Sequence, residues 1–359
     1  MRSDYPNGDL RQIRSFERMD CRSEFKSILI QYLNDPCLEG ISEKLIGLSA
    51  GITPAILYRY RKCTPRHLAE LENEALSFAA PAVFEDDPDD AYVSLDHGRV
   101  ANMQAQATGE FFPFFSRLME MSLEDCSKAL SEAFSSSEPI PNLFEGVIPP
   151  QQKWKNGDFV GMTDGDKVRY IGKTFDAVLN EISERDACSR LREQTKVACL
   201  CENPNSKRMW NEYGGRGTGF QIAYTKDALF GIGSCGVTVP MIFPVIYEEE
   251  RPDMSELAMM IALRETGFQF LPGDTPIQRH WFACILKAVY IKSRKLFSHE
   301  EEWRIVIPDQ SINETNRRFA TRLCPISQIR LGEQTSPSDE SLLRDIAAKL
   351  NVPIMRHDE

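Results

Sequence analysis

The sequence predicts an α+β protein of mixed sheets with surrounding helices, and three observations carry that reading. The β-branched run Ile305-Val306-Ile307, bounded by Pro308, reads as a buried strand. Phe175, Val178, Leu179 and Ile182 recur at i, i+3, i+4 and i+7, the apolar stripe of an amphipathic helix. The C-terminal stretch reads as a strand over 326–331, a helix over 340–350 and a strand over 352–355, a βαβ-like closure.

Taken in order, residues 1–20 hold little apolar content. Phe25, Ile28, Leu29 and Tyr32 have helical spacing, which predicts a helix over 23–33. Residues 36–53 read as short and turn-rich. Residues 55–61 alternate as a strand, with Tyr58 and Tyr60 on one face and Arg59 and Arg61 on the other. Thr64 and Pro65 supply an N-cap and a first-turn proline for a helix carrying Leu68 and Leu71. Residues 75–80 read as a short strand, and 85–90, Glu-Asp-Asp-Pro-Asp-Asp, as an acidic turn.

Residues 100–134 read as largely helical, with a capping box at Ser122 and Asp125. Ser, Pro and Gly cluster over 135–141 and 149–166, so an exposed insertion or lid is expected around 100–166. Beyond the Phe175 helix, residues 196–201 read as a buried strand. A short helix then carries Met209, Trp210 and Tyr213, and a strand runs over 220–224. Between them lies Gly214-Gly215-Arg216-Gly217-Thr218-Gly219. This loop opens a strand and not a helix, so it is not a dinucleotide fingerprint. It could offer backbone N–H groups to a phosphate, or be a helix C-cap with a tight turn. Pro240 and Pro244 break the strand material of 237–247. Asp253 and Glu256 cap a helix to about 265, and Thr275-Pro276 opens another to about Lys292.

At 359 residues the chain can bury a sizeable core. A net charge of −11 argues against broad duplex nucleic-acid binding. No apolar run approaches membrane-spanning length, and the first twenty residues lack a signal-peptide core, so a cytoplasmic protein without a membrane partner is expected. The ten cysteines are scattered, and Cys199-x-Cys201 without a second pair is a poor zinc signal. No metal is expected.

Chemistry concentrates in His299-Glu300-Glu301-Glu302-Trp303-Arg304. Burying a charge unpaired is expensive, so carboxylates at the mouth of a buried strand need a reason. On a strand, Glu300, Glu302 and Arg304 share one face and Arg304 could clamp a carboxylate; Glu301 and Trp303 share the other. The stretch is either a solvated acidic strand entry with an Arg–Glu pair or a catalytic carboxylate site. The five histidines form no triad, and neither a Gly-x-Ser-x-Gly nor a Walker loop is present.

Several pieces together resemble a bacterial family known as domain of unknown function 2971. They are Leu57-Tyr58-Arg59-Tyr60, Phe84-Glu85-Asp86-Asp87-Pro88, Met209-Trp210-Asn211-Glu212-Tyr213 with Gly219-Phe220, Lys292 before Glu300-x-Glu302-Trp303-Arg304, and Ile329-Arg330-Leu331-Gly332. The pattern covers about 55–356, which implies a single α+β domain there and a partly helical N-terminal extension over 1–54. The chain departs from it at Asp86, where the family often has Asn, at Cys201, where it often has Ser, and at Phe297, a usual Trp position.

Three functional readings follow. The order Arg59, the Cys199–Cys201 strand, then Glu300-x-Glu302 is similar to that of ADP-ribosyltransferases, which hold NAD between two split sheets. That likeness implies NAD as substrate and, as partner, a small-molecule nucleotide or an unknown macromolecular acceptor. It implies catalytic roles for Glu302, Glu300 and Arg59, and a nucleotide-binding set of Tyr58, Trp210, Tyr213 and Cys201. It also requires Arg59, Trp210, Tyr213 and Glu302 to line one cleft. A metal-dependent nuclease or phosphodiesterase would instead use Asp86, Asp87, Glu300 and Glu302 as oxygen ligands beside Lys292. In a non-catalytic sensor or partner-binding module, Met209, Trp210 and Tyr213 are core anchors and Glu302–Arg304 is a structural ion pair.

Overall fold

One strand, β3 (Thr195–Cys201), organises the sheet. The computed structural model describes residues 23–84, 90–109, 122, 173, 177, 179–181, 188, 189, 191–193, 195–232, 241–265, 276–293, 295–308 and 319–356. Along one edge β3 pairs antiparallel with β8 (Glu302–Pro308) over its whole length, from Thr195 opposite Pro308 to Cys201 opposite Glu302. Its other edge is shared. β1 (Ile56–Arg61) meets it at Tyr58–Cys201, and β2 (Ala75–Ala79) meets it at Ala79–Val197. The sheet therefore forks at β3. One branch continues from β1 through β4 (Phe220–Thr225) and β10 (Gln328–Leu331) to β11 (Ile354–Arg356); the other ends on β9 (Phe319–Leu323). β5 (Met241–Pro244) pairs beyond β8, which completes a nine-stranded mixed sheet. All of these ladders are antiparallel except β10–β11. β6 (Ile246–Tyr247) and β7 (Ile291–Lys292) form a separate parallel pair.

Helices cover both faces, as the α+β composition requires. Below one face, Leu57, Leu200, Phe220, Ile222, Trp303 and Ile305 pack with Leu343 and Ala347 of α9 (Pro337–Leu350). On the other, Val197, Phe243 and Val306 pack against α1 (residues 23–34), α2 (Ile41–Ile52) and α8 (Pro276–Tyr290) through Phe25, Leu29, Leu45, Leu286 and Tyr290. The segment set apart by sequence as an N-terminal extension thus contributes to the core of the sheet.

The caps form as the sequence predicts. Thr64 Oγ1 accepts the His67 N–H at the start of α3 (Pro65–Glu72), and Asp253 Oδ1 accepts the Ser255 N–H at the start of α7 (Ser255–Glu265). The parallel β10–α9–β11 closure is present as expected. Residues 36–53 are a correction: they hold α2, not a turn-rich stretch. Ile41, Leu45 and Ser49 recur every four residues and are buried, while Gly47 and Gly51 stand where open space would accept a side chain. The glycines hid an amphipathic helix. The expected lid lies outside the described residues, apart from Ser122 and α4 (His97–Gly109). Asp86 and Asp87 also lie outside them. Among the described residues no helix is long and apolar enough to cross a membrane.

Candidate functional site

The site forms where β8 begins against the end of β3. A 3-10 turn, Lys295–Glu300, delivers Glu300; Glu301 then turns the chain at φ 44° and Glu302 opens β8. Glu300 is therefore not a strand residue, yet both carboxylates reach the same cation. Lys292, at the end of β7, sets its Nζ 3.5 Å from Glu300 Oε2, 3.8 Å from Glu302 Oε2 and 3.5 Å from Asp90 Oδ2. It also lies 4.2 Å from the centre of the Phe297 ring.

Arg304 is the anchor. It is 1 % exposed, and every N–H of its guanidinium has an acceptor. Nε and Nη2 donate to the two oxygens of Glu302, at 2.7 and 3.1 Å. Nη1 and Nη2 donate to the two oxygens of Asp90, at 2.9 and 2.5 Å, and Nη1 also donates to the Val289 carbonyl at 2.7 Å. A buried guanidinium is tolerated only with such paired carboxylates. The expected Arg304–carboxylate clamp is present, and Asp90 is the partner that sequence reasoning missed. Asp90 sits 214 positions away, at the end of a run that reads as an ordinary acidic turn.

Burial and neighbours tune these groups apart. Burial pushes Asp90 up, but the charges of Arg304 and Lys292 outweigh it and hold the carboxyl below its ordinary range. Burial pulls Lys292 down, yet Glu302, Asp90 and Glu300 leave it above its ordinary value. Glu300 moves the other way: burial, then the neighbouring Glu302, push it up to about 7. Its Oε1 accepts a hydrogen bond from the Tyr213 hydroxyl at 2.8 Å. Tyr247, on β6, accepts the Glu302 N–H at 3.4 Å, and burial followed by Glu302 and Glu300 raises its hydroxyl well above normal.

Tyr58, Cys201 and Glu302 lie side by side across β1, β3 and β8, since each is the register partner of the next. Trp210, from α5 (Lys207–Glu212), packs edge-on against Tyr60 at 5.1 Å, in a cluster with Cys201 and Met209 that Tyr58 and Tyr213 border. Trp210 is 5 % exposed and anchors this core; Tyr58 and Tyr213 keep part of their surface in solvent. The Cys201 thiol bonds Asn203 O, and burial pushes it up to about 12, so it is a neutral wall group and not a thiolate.

Arg59 is not part of this group. It leaves the opposite face of β1 from Tyr58, and its Nη1 donates to the Ser77 carbonyl at 2.8 Å. The single cleft of Arg59, Trp210, Tyr213 and Glu302 is not what forms, because alternation on β1 turns Arg59 away from Glu302. The glycine loop is not a phosphate cradle either. The N–H groups of Gly214, Arg216, Gly217, Thr218 and Gly219 all go to carbonyls of residues 209–215. A Cβ on Gly219 would meet Arg61 O at 2.1 Å, so this glycine is set by strand packing.

At the solvent side, Glu212, His299 and Glu300 bring ligand-type atoms within 4.8 Å of one another, with His299 Nε2 3.3 Å from Glu212 Oε2. The donor set could suit a divalent cation. Arg208 already binds Glu212, and Lys292 faces Glu300, so cations compete there.

The fold and site define an α+β protein with a forked sheet and a buried carboxylate–cation cluster at its fork. Residues 209–305 match the family model described as Protein of unknown function (DUF2971). The resemblance to that family therefore holds, over a stretch running from Met209 through α5 and Lys292 to Ile305 on β8. No curated protein and no solved structure matches the chain.

Proposed function

We propose that this chain is an ADP-ribosyltransferase-like enzyme that breaks the nicotinamide–ribose bond of NAD and passes ADP-ribose to an acceptor. The observation that carries the reading is the charge balance of the buried group. Asp90, Glu300 and Glu302 face Lys292 and Arg304, so the fully ionised group keeps one negative charge out of water. Loss of nicotinamide builds oxocarbenium character on the ribose. A fixed negative site at low dielectric stabilises such charge without reorganising. The forked sheet, with Glu302 in register with Cys201 and Tyr58, supports the same reading.

The two glutamates take different tasks. Arg304 fixes the position of Glu302 through hydrogen bonds to both of its oxygens. Glu300, at about 7, is matched to accept the proton of the attacking hydroxyl or water. Tyr213 orients it, and Tyr58 and Tyr213 are the aromatic surfaces left for a base to stack on. Arg59 has no role here. The burial of Met209 and Trp210 favours a second reading, a binding module without turnover. Calorimetric titration of NAD into wild type and Glu300→Gln separates the two. The enzyme reading expects binding by both and nicotinamide release by wild type alone. Absence of NAD binding by the folded wild type removes it.

A further inference from the structure

The strand that turns Tyr58 towards the acidic group turns Arg59 and Arg61 the other way, together. Both are half-buried, between β1 and β2. Their protein contacts are few. Arg59 Nη1 donates to Ser77 O at 2.8 Å, and Arg61 Nη2 reaches Ser77 Oγ at only 3.4 Å. Arg59 Nε is buried and has no hydrogen-bond partner among the described residues. Guanidinium groups bring more donors than these contacts use.

Charge points the same way. Glu70 is the nearby acid, and it is already engaged by Arg66 Nε at 2.9 Å and by the Ser77 hydroxyl at 3.0 Å. His67 stands beside the pair, and burial followed by Arg61 lowers its basicity. Burial and then Arg59 pull Arg61 down to about 9, and the opposing charge of Glu70, shared with Arg66, does not make good the difference. In a chain of net charge −11, this is a local excess of positive charge in a half-buried place. The contrast with Arg304, whose every N–H is taken, is direct.

We propose that Arg59 and Arg61 form an anion site between β1 and β2, separate from the Glu300–Glu302 group, that takes a phosphate group. Two planar donor forks suit an ion with several oxygens and close to two charges better than a single carboxylate. The acidic remainder of the protein selects a small phosphorylated ligand over a long nucleic acid.

The test is the melting temperature of the full chain in inorganic phosphate at constant ionic strength, with chloride as reference. A saturable rise is expected for wild type, with an apparent affinity at least about tenfold weaker in Arg59→Gln and in Arg61→Gln. Arg59→Lys keeps the charge but loses the fork and Nε, and should fall between them. If a glutamine variant fails to fold, the Arg59→Lys titration decides the matter. No saturable rise in wild type, or an unchanged titration in the folded variants, overturns the proposal. NAD titrated into phosphate-saturated wild type should bind as it does without phosphate. Competition between the two would place the dinucleotide's own phosphates on the arginines and overturn the separateness of the site. The phosphate titration needs no NAD, so this proposal and the proposed function fail independently.

Discussion

Replacing Arg304 by Met probes the cluster at its anchor. The substitution keeps the volume of the stem but strands two buried carboxylates. Asp90 loses both of its Arg304 hydrogen bonds and Glu302 loses both of its own, with side chains 1 % and 7 % exposed. Breaking a buried pair by removing one partner costs about 3–5 kcal/mol. Lys292, 3.5 Å from Asp90 and 3.8 Å from Glu302, compensates only in part. The full cost is a large share of the roughly 5–15 kcal/mol that holds a typical native state. With a urea slope of about 3 kcal/mol/M, the unfolding midpoint should fall by about 1–1.7 M, read by circular dichroism. The loss should ease on acidification, since the orphaned carboxylates then take up protons and their buried charge disappears. A variant whose midpoint stays within about 0.3 M of wild type at neutral pH would show that the cluster does not hold the site together.

Other substitutions separate the groups. In Glu300→Gln the pH dependence of stability should change sign-specifically. Glu300 ionises near 7 when folded against an ordinary 4.5, so its contribution is full below about 4.5 and is lost as pH rises through about 7. Urea midpoints measured across that window should decline in wild type more steeply than in the variant; parallel curves refute the assignment. Tyr213→Phe removes a hydrogen bond that lowers Glu300, so the pH limb of activity should move to higher pH; an unmoved limb removes Glu300 from that limb. Gly219→Ala drives a Cβ to 2.1 Å from Arg61 O and 2.9 Å from Gly214 O, and should cost about 3 kcal/mol in urea unfolding. A neutral Gly219→Ala would mean that the β1–β4 approach is looser than described.

The periodic and capping signals were legible because they are local. Helix α1, the Thr64 cap, the two faces of β1 and the β10–α9–β11 closure all follow from residues within a few positions of one another. The Glu302–Arg304 clamp was readable for the same reason, since the two residues share a face of β8. Helix α2 was not, because Gly47 and Gly51 weaken its local signal and tertiary packing of Ile41 and Leu45 supplies the rest. Asp90 and Tyr247 join the cluster only through folding across the chain, which no spacing rule reports, whereas the nearness of Lys292 to Glu300 and Glu302 was readable from the order of the motifs. Arg59 shows the converse: its alternation away from Tyr58 was visible on the strand, yet the order of motifs suggested one cleft. Alternation is a steric constraint and motif order is an analogy, so the constraint prevailed.

The most direct measurement is nicotinamide release from NAD by the purified chain, followed across pH 5 to 9 for wild type and Glu300→Gln. The account predicts release by wild type that rises as pH passes through about 7, where Glu300 becomes ionised. It predicts a fall of about a hundredfold or more in Glu300→Gln, with the variant still folded at the lower end of the range. Folded wild type that releases no nicotinamide above the spontaneous rate, or a Glu300→Gln protein that releases it as fast as wild type, would contradict the account.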